Sequence, residues 1–316
     1  MKSVGSDRVR VAVVGAGYLG KYHAQKYAAM DDVELVGVVD TNRERAETVA
    51  RTLGVASFTD LEAIVPLVDA ASVVVPTSQH FPVARVLLQG GLDVLIEKPM
   101  TASLPEAAEL IRLARKGGRV LQVGHLERFN AVWKAAEAAL ESPRFVEAHR
   151  LGPFQERGTD VDVVLDLMIH DIDILLKYVC SPIRSIDAVG VPVLSPNVDI
   201  ANVRIHFANG TVANLTASRV SLKRTRKIRF FQPDVYVSID YDDREVLILR
   251  RTRNPQSGAY EISGEQQKVP EGDALEDELR AFIRSVKTRE PPQVGGEEGR
   301  KALKVALRIL QRMRTA

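Results

Sequence analysis

Asp166 and His170 stand four residues apart in an apolar stretch of the chain, and Asp173 follows three residues later. In a helix, this spacing places the three side chains on one face. A carboxylate next to an imidazole can orient the ring and keep it basic near neutral pH, which suits proton transfer. Two other interpretations stay open: a solvated helix face, which spacing alone favours, and a metal site, which lacks a further clear ligand.

Lys98 is the second candidate for proton chemistry. It follows an apolar run at residues 92–96 and the acidic Glu97, and Pro99 comes directly after it. A bond that precedes proline can be cis, which would form a sharp turn and aim the lysine side chain. A lysine at the end of a strand is more often simply exposed, so its role depends on what lies beside it.

A glycine-rich turn near the start of the chain has the pattern of a ligand-binding loop. An apolar run, Val9–Val14, leads directly into Gly-Ala-Gly-Tyr-Leu-Gly at positions 15–20. Helix-forming residues occupy positions 21–30, and a second apolar run, Val33–Val39, stops at Asp40. A strand, a GxGxxG turn, a helix and an acidic residue about 20 positions later together form the fingerprint of dinucleotide binding.

Each residue of this fingerprint has a physical role. Gly15 allows the tight turn, Gly17 lets a pyrophosphate approach the backbone, and Gly20 lets the helix pack on the sheet. The phosphates would meet the N–H groups and the positive end of the helix. Asp40 can accept hydrogen bonds from ribose hydroxyls and would repel a 2′-phosphate, so NAD is expected, although Arg43 could bind such a phosphate. A glycine turn without a cofactor is the alternative.

The composition is that of an ordinary globular protein. The chain has 316 residues, enough for two domains, with 45% hydrophobic and 27% charged residues. A net charge of +2 does not indicate a nucleic-acid partner, and no apolar run reaches the roughly 18 residues that a membrane span needs. One cysteine, Cys180, excludes an internal disulfide and leaves no cysteine cluster for zinc. The N-terminus lacks the apolar core of a secretory signal, so a cytoplasmic protein is expected.

Strands and helices alternate through the first part of the chain. Predicted strands cover residues 9–14, 33–39, 70–75, 92–96 and 119–123. Predicted helices cover residues 21–30, 42–53, 81–89 and 103–116, with a short helix after residue 59 and a turn at residues 76–80. This alternation predicts an α/β fold with a parallel, doubly wound sheet. Ligands sit at the carboxyl ends of such strands, which places residues 15–20, Asp40, residues 76–80, Lys98 and His125 along one edge.

From about residue 124 the pattern changes to a series of strands. Predicted helices cover residues 127–140 and 163–179. Predicted strands cover residues 144–151, 183–191, 201–207, 211–218, 228–231, 235–239 and 246–249, with a hairpin turn at Asn209-Gly210. The sequence thus predicts a first domain at residues 1–123 and an α+β domain with a mostly antiparallel sheet at residues 124–316. Helices at residues 274–288 and 297–313 close the chain, and the last can pack back on the first domain.

In this order, the motifs resemble those of the Gfo/Idh/MocA family of sugar and cyclitol oxidoreductases. The shared motifs are the glycine turn at residues 15–20, Pro76-Thr77 with His80, Glu97-Lys98-Pro99, Gly124-His125, and Asp166 with His170 and Asp173. They span nearly the whole chain, and Glu-Lys-Pro combined with Asp-x3-His is specific. The chain differs at Met168 and at Val163-Val164, where many members have glycine.

The resemblance implies a Rossmann domain followed by an α+β domain whose open sheet often forms the interface of a homodimer or homotetramer. It implies that Lys98 contacts the substrate hydroxyl and the nicotinamide, and that His170 accepts the proton with support from Asp166. NAD is then expected to contact Gly15, Gly17, Tyr18, Leu19, Gly20, Asp40, Arg43, Pro76, Thr77, His80, Glu97 and Lys98. The substrate is expected to contact His125, Arg128, Arg157, Asp173 and Arg219. No metal is expected.

The run at residues 157–173 resembles the branch of the family that acts on UDP-N-acetylglucosamine. This resemblance implies NAD-dependent oxidation to a 3-keto sugar nucleotide, ahead of an aminotransferase on the route to lipid A. A diphosphate needs fixed cations, and Arg150, Arg157, Arg219 and Lys223 could supply them. The basic run at residues 223–227 could equally be a solvated turn. No aromatic residues interleave with it, so nucleic-acid binding is disfavoured.

Two alternatives stay open at this point. An inositol or free-sugar dehydrogenase of the same family would not depend on the uridine nucleotide. A catalytically inactive, NAD-sensing regulatory protein would bind NAD without hydride transfer, and the presence of Lys98, Asp166 and His170 argues against it.

Overall fold

The computed structural model describes residues 8–155 and 161–314, and the chain divides into two compact units. The first unit contains the residues up to Phe129 together with Asp273–Leu303. The second unit contains Asn130–Gly272 together with the residues from Lys304 onward. This division differs from the two domains predicted in chain order, because Asp273–Leu303 joins the first unit.

The strands and helices of the described residues follow one another in an order close to the predicted one. The strands are β1 (Val9–Val14), β2 (Val33–Val39), β3 (Ala56–Phe58), β4 (Ala70–Val73), β5 (Asp93–Glu97), β6 (Leu121–Gly124), β7 (Phe145–Leu151), β8 (Ile183–Val191), β9 (Ile200–Phe207), β10 (Val212–Ser218), β11 (Thr225–Gln232), β12 (Val235–Asp240), β13 (Glu245–Arg253) and β14 (Tyr260–Lys268). The helices are α1 (Tyr18–Ala28), α2 (Arg43–Leu53), α3 (Thr77–Gln89), α4 (Leu104–Gly117), α5 (Val132–Ala136), α6 (Ile169–Tyr178), α7 (Ala274–Thr288) and α8 (Gly296–Arg314).

The first unit is built on one parallel sheet. Its strands lie in the order β3-β2-β1-β4-β5-β6, and every neighbouring pair is parallel. β4 and β5 are buried along their whole length, as expected for strands covered by helices on both faces. The predicted doubly wound α/β fold is therefore confirmed, and the point where the strand order reverses lies between β1 and β4.

Helix α7 completes the core of the first unit. Leu279, Phe282 and Ile283 are buried in the same apolar cluster as Val11 and Val13 of β1. These three α7 residues recur at helical spacing, so one apolar face of the helix packs on the sheet. This packing explains why a segment from late in the chain belongs to the first unit.

The second unit is built on an eight-stranded sheet in the order β14-β13-β12-β11-β7-β10-β9-β8. All neighbouring pairs are antiparallel except β10 with β7, so the predicted mostly antiparallel sheet is confirmed. Val203, Ile205 and Phe207 of β9 are buried, and Asn202 and Arg204, which alternate with them along the strand, are exposed. One face of the sheet therefore packs on the unit's own core.

The predicted hairpin turn at Asn209-Gly210 is confirmed between β9 and β10. Gly210 has φ +86°, which favours glycine, and Oδ1 of Asn209 accepts a 3.1 Å hydrogen bond from the N–H of Thr211.

Among the described residues, no helix is both long enough and apolar enough to cross a membrane.

Two local predictions were wrong. Residues 76–80 are not a turn, because α3 begins at Thr77 with Pro76 as its N-cap. The helix predicted over residues 127–140 is interrupted: 3₁₀ turns at Leu126–Phe129 and Glu137–Ala139 flank the short α5. The first break lies at Asn130, whose side chain accepts a 3.3 Å hydrogen bond from the N–H of Val132 and so competes with the regular helical pattern.

Two strands were missed by the sequence. β3 has three residues, and β14 is exposed along its whole length, so neither shows the apolar alternation that identifies a strand. β14 is held by backbone pairing with β13 rather than by burial of its side chains.

Candidate active site

The strands of the first unit bring the predicted ligand-binding residues to one edge of the sheet. β1, β2, β4, β5 and β6 are parallel, so their carboxyl ends meet there. The glycine turn follows β1, Asp40 follows β2, residues 76–80 follow β4, Lys98 follows β5, and His125 follows β6. The sequence predicted this edge correctly because each motif comes directly after an apolar run.

The glycines of the turn fit the space around them. Gly15 has φ +106°, and a Cβ on it would overlap the carbonyl oxygen of Val74. A Cβ on Gly20 would overlap the carbonyl oxygen of Gly15, which means that α1 packs closely on the turn. In the described part of the chain, no atom outside the immediate chain neighbours of Gly17 and the backbone of its own helix lies within 4 Å of the position of a Cβ on this residue. The turn is therefore closed on the protein side and open where a pyrophosphate would approach.

The start of α1 suits an anionic ligand. Gly17 is its N-cap, no side chain of the described residues caps the helix, and its first turn has no acidic residue. The exposed Tyr18 and the half-buried Leu19 form that first turn. Backbone N–H groups at such a helix start attract phosphate oxygens.

Asp40 is fixed next to the glycine turn. Its Oδ2 accepts a 2.8 Å hydrogen bond from the N–H of Ala16, and its Oδ1 accepts one of 2.8 Å from the N–H of Asn42. The half-buried carboxylate keeps lone pairs for the hydroxyls of a ribose. Arg43, the alternative ligand for a 2′-phosphate, is exposed and lies 3.8 Å from Glu47. These residues fit NAD.

His80 supports the turn around Lys98. Its side chain is 1% exposed, with Nδ1 2.8 Å from the carbonyl oxygen of Pro99 and Nε2 2.9 Å from that of Val75. Burial is the main cause that lowers the pKa of His80. The Lys98-Pro99 bond is cis, as the sequence had suggested, and Lys98 itself is half-buried. Because His80 is turned inward, the geometry favours positioning over direct contact with a cofactor.

Other predicted residues lie near the same edge at different depths. Pro76 is exposed and Thr77 is half-buried at the start of α3. His125 is 1% exposed, and Arg128 is half-buried in the 3₁₀ turn that follows it. Among these, Thr77 and Arg128 offer the more accessible polar groups.

In the second unit, the predicted helix over residues 163–179 is not uniform. Val164–Met168 forms a π-helical turn, in which the N–H of Ile169 donates to the carbonyl of Val164, and α6 continues from Ile169. Asp166 lies in the π turn and His170 in the first turn of α6, and both are half-buried. The expectation of one regular α-helix was wrong, and π turns of this kind are frequent at functional sites.

Asp173 differs from Asp166 and His170 in its exposure. Its side chain is buried, as is that of Asp171, whereas Asp166 and His170 stay partly accessible. Asp166 and His170 are therefore the more accessible of the three side chains that the sequence singled out.

A basic pocket lies next to Asp166 in the second unit. It is open to solvent. Its charged lining consists of Arg150, Arg219, Arg224, Arg226 and Asp166. Four guanidinium groups at one pocket offer several fixed N–H donors, which suits an anionic ligand with several oxygens. Of the other predicted cations, Lys223 is exposed and does not line the pocket, and Arg157 lies outside the described residues.

Arg150 is held in place by Asp171. Its Nε and Nη2 donate to the two carboxylate oxygens at 3.0 and 2.8 Å, and both side chains are 4% exposed. The guanidinium also lies 5.6 Å from the ring centre of Tyr241. This role of Asp171 is not evident from the sequence, because the ion pair joins β7 to α6 and its two residues are 21 positions apart.

Arg226 and Arg224 were missed as individual pocket residues. Arg226 stands directly opposite Arg150 where β11 pairs with β7, and Arg224 forms a 2.9 Å ion pair with Asp242. The sequence had placed both in a basic run that could be a solvated turn. Only strand pairing between distant segments brings Arg226 to the pocket.

Asp199 orders the loop beside Arg219. Its Oδ2 accepts hydrogen bonds from the N–H groups of Val193, Leu194 and Ser195 at 2.6 to 2.8 Å, and its Oδ1 accepts one from Oγ of Ser195. Burial alone would raise the pKa of Asp199, but these hydrogen bonds lower it to about 2. Arg219 lies 3.9 Å from the same carboxylate and donates to the carbonyl of Val161, just before the π turn.

We expect Asp199→Asn to lower the melting temperature by roughly 2–4 °C at neutral pH. The folded-state pKa is depressed, so the contribution to stability is present above the unfolded pKa near 3.8 and is lost as the pH falls towards 2. The difference between wild type and variant should therefore shrink on acidification, as followed by thermal unfolding against pH. Asp187→Asn, which changes an exposed carboxylate on β8, serves as the control. A difference in melting temperature that did not change with pH would contradict the lowered pKa of Asp199.

The sheet order, the glycine turn and the acidic residue after β2 define a dinucleotide-binding protein of the Rossmann class. Residues 9–125 match the family model described as "Oxidoreductase family, NAD-binding Rossmann fold", and residues 134–234 match the GFO/IDH/MocA C-terminal domain. The chain belongs to the Gfo/Idh/MocA family of NAD-binding oxidoreductases. The resemblance inferred from the sequence motifs is thereby confirmed, as is NAD as the cofactor.

Individual relatives agree with this assignment. The chain is 39% identical over 302 residues to UDP-N-acetylglucosamine 3-dehydrogenase of Acidithiobacillus ferrooxidans, covering 95% of this chain and 96% of that protein. A solved structure of that name from the same organism superposes with a TM-score of 0.91 at 38% identity, covering 98% of both chains. Myo-inositol 2-dehydrogenase of Thermotoga maritima is 25% identical over 93% of each chain. The protein is thus similar to NAD-dependent dehydrogenases that act on sugars and cyclitols.

Proposed function

We propose that the protein oxidises a ring hydroxyl of a nucleotide sugar, and that its substrate is UDP-N-acetylglucosamine, converted to the 3-keto form on the route to lipid A. The observation that carries this choice is the four-arginine pocket next to Asp166. A diphosphate between the uridine and the sugar is a multiply charged anion, and arginine binds such groups through paired N–H donors. The similarity to the Acidithiobacillus enzyme supports the same substrate.

The proposed chemistry gives His170, Asp166 and Lys98 separate roles. His170 takes the proton of the hydroxyl as the C–H hydrogen leaves as a hydride, and Asp166 keeps the imidazole oriented and basic. Lys98 donates a hydrogen bond to the reacting oxygen and stabilises the charge that develops on it. NAD, when bound, accepts the hydride at its nicotinamide. The other residues that the family resemblance assigns to NAD or to the substrate are proposed to position the cofactor and the sugar.

The arginines of the pocket have unequal roles in this proposal. Arg150 and Arg219 are buried, and Asp171 and the carbonyl of Val161 hold them in place, so their guanidinium groups are fixed at the pocket. Arg226 is half-buried on β11 and is proposed to contact the diphosphate directly. Arg157, in the segment after β7, is proposed to join them.

An inositol or free-sugar dehydrogenase is the second candidate. The similarity to myo-inositol 2-dehydrogenase favours it, because Lys98, Asp166 and His170 would serve the same oxidation of a secondary alcohol. The two candidates differ in their need for the uridine diphosphate.

We also propose that the protein forms a homo-oligomer through the open face of the eight-stranded sheet. Phe145, Phe231 and Tyr236 lie on the adjacent strands β7, β11 and β12 with ring centres 5.4 and 5.0 Å apart, and all three are only partly buried. A cytoplasmic location is proposed because the exposed Cys180 suits a reducing compartment.

The test measures NADH formation with NAD and UDP-N-acetylglucosamine, in the presence of a carbonyl trap that removes the keto product. We expect kcat/KM to exceed that for free N-acetylglucosamine about a hundredfold, because charge-assisted hydrogen bonds to the diphosphate are lost with the nucleotide. Arg226→Ala should raise KM for the UDP sugar with little change in kcat, and Arg284→Ala, an exposed arginine of α7, should change neither. Equal turnover of free sugars or inositols would overturn the nucleotide-sugar assignment.

A further inference from the structure

Helix α7 carries a buried glutamate on the face that packs against the parallel sheet. Glu278 is 0% exposed, and neither of its carboxylate oxygens has a hydrogen-bond partner among the described residues. Its backbone carbonyl accepts a 3.0 Å hydrogen bond from Nε2 of Gln122 in β6, which fixes this turn of α7 on the sheet. Burying a carboxyl group without a partner is unfavourable for its charged form, so Glu278 needs a particular environment.

Glu97 lies on the same side of the sheet. It stands opposite Gly124 in the pairing of β5 with β6, and a Cβ on Gly124 would lie 2.9 Å from Oε1 of Glu97. The carboxylate of Glu97 therefore occupies the space over Gly124. Gln122 and Gly124 face the same side of β6, because alternate residues of a strand share a face. The side chain of Glu97 and the α7 turn held by Gln122 thus lie over the same part of β6.

Glu97 is anchored from two directions. Its Oε1 lies 3.3 Å from Nε2 of His23 in α1, and its Oε2 accepts a 3.2 Å hydrogen bond from the N–H of Lys98. Burial alone would raise the pKa of Glu97, but His23 and Lys98 outweigh burial and hold the pKa below its usual value. Glu97 is therefore an anion that fixes the backbone of Lys98.

Two carboxyl groups in one buried region cannot both be charged without a large penalty. Burial first, and then the charge of Glu97, raise the pKa of Glu278 well above its usual value. Among the described residues, the other titratable groups that interact with the two carboxyls include His23 and Tyr27 of α1, His80 of α3, and Lys98. Tyr27 stays neutral, because burial raises its pKa and its hydroxyl is paired with Oγ of Ser72.

We propose that Glu278 is a positioning residue for Lys98. As a neutral buried acid, Glu278 lets Glu97 keep its charge and with it the hydrogen bond to the Lys98 backbone. When Glu278 loses its proton, repulsion displaces Glu97 and moves Lys98 out of its catalytic position. This inference rests on the proposed function, in which Lys98 contacts the reacting oxygen. It gives turnover an upper pH limit that originates in α7.

Glu278→Gln is the variant that tests this role, because glutamine has the shape of the neutral acid and cannot ionise. We expect kcat at neutral pH to stay within about twofold of wild type and KM for NAD to be unchanged, while the alkaline loss of kcat moves up by roughly one pH unit or more. Asp277→Asn changes the exposed carboxyl at the preceding position of α7 and should keep the wild-type dependence of kcat on pH.

Thermal unfolding provides a readout that needs no turnover. The folded-state pKa of Glu278 is raised, so its protonation stabilises the fold fully below the unfolded pKa near 4.5, and this stabilisation is lost as the pH rises through the folded pKa. Glu278→Gln does not undergo this loss. The melting temperature of Glu278→Gln relative to wild type should therefore increase from about pH 5 to about pH 9.

The two measurements separate the possible failures. Superimposable pH profiles of kcat for wild type and Glu278→Gln would overturn the positioning role, and a melting difference that does not change with pH would overturn the neutral-acid assignment. A large loss of kcat at neutral pH in a stably folded Glu278→Gln would also refute the inference, because the acid itself would then be required. If wild type oxidised no UDP sugar, the proposed function would fail instead, and the melting curves would still decide the protonation of Glu278.

Discussion

Replacing His170 with alanine is expected to lower kcat about 10²–10⁴-fold, because a positioned general base contributes that much to a proton transfer. His170 is half-buried in the first turn of α6, just after the π turn that carries Asp166. The measurement is the initial rate of NADH formation at saturating NAD and UDP-N-acetylglucosamine. Calorimetry should show that NAD still binds, since the glycine turn and Asp40 lie in the other unit.

His206→Ala is the matched control for this variant. His206 is half-buried on β9 at 3.8 Å from Asp187, and the proposed chemistry does not use it, so wild-type kcat is expected. Asp166→Asn should give a smaller loss than His170→Ala, because it removes the support of the base and leaves the base itself. A His170→Ala enzyme with nearly normal kcat would rule out His170 as the proton acceptor.

Replacing Lys98 with alanine is expected to lower kcat about 10²–10³-fold. Loss of one preorganised donor to a developing oxygen charge has an effect of this size. Lys98 is half-buried directly after β5. Its N–H donates a hydrogen bond to Glu97, and His80 contacts the carbonyl of the next residue, Pro99. Single-turnover measurements with the UDP sugar should place the loss in the hydride-transfer step.

Two further lysine variants serve as controls for Lys98→Ala. Lys116→Ala removes an exposed lysine in the last turn of α4 and should leave kcat unchanged. Lys98→Arg should restore little activity, because a planar guanidinium does not reproduce the point charge of an ammonium group. Equal kcat values for Lys98→Ala and wild type would show that the lysine has no part in the reaction.

Much of the first unit could be predicted from local sequence. The run Val9–Val14, the glycines that follow it and Asp40 lie within about 30 residues and together form one dinucleotide-binding pattern. Gly15 and Gly20 stand where a larger residue would overlap the backbone. The parallel sheet follows, because apolar runs alternate with amphipathic helices. α7 could not be assigned in this way, since its amphipathic pattern predicts a helix without indicating which sheet it covers.

Only part of the candidate site in the second unit could be predicted from the sequence. Asp166 and His170 stand out by spacing, and the family resemblance assigns them a role. The pairing of Arg150 with Asp171 and the position of Arg226 opposite Arg150 depend on strand register, which side-chain patterns alone do not determine. Glu278 is the extreme case, because its contact with Gln122 joins residues 156 positions apart.

The return of Asp273–Leu303 to the first unit has a consequence for protein engineering. A fragment that ended at Phe129 would lack Leu279, Phe282 and Ile283, and so would expose part of the apolar core that surrounds Val11 and Val13. Such a fragment is a poor minimal module for cofactor binding. Chimeras that exchange cofactor specificity between relatives should therefore transplant two stretches of chain together and join them at either end of the intervening segment Asn130–Gly272.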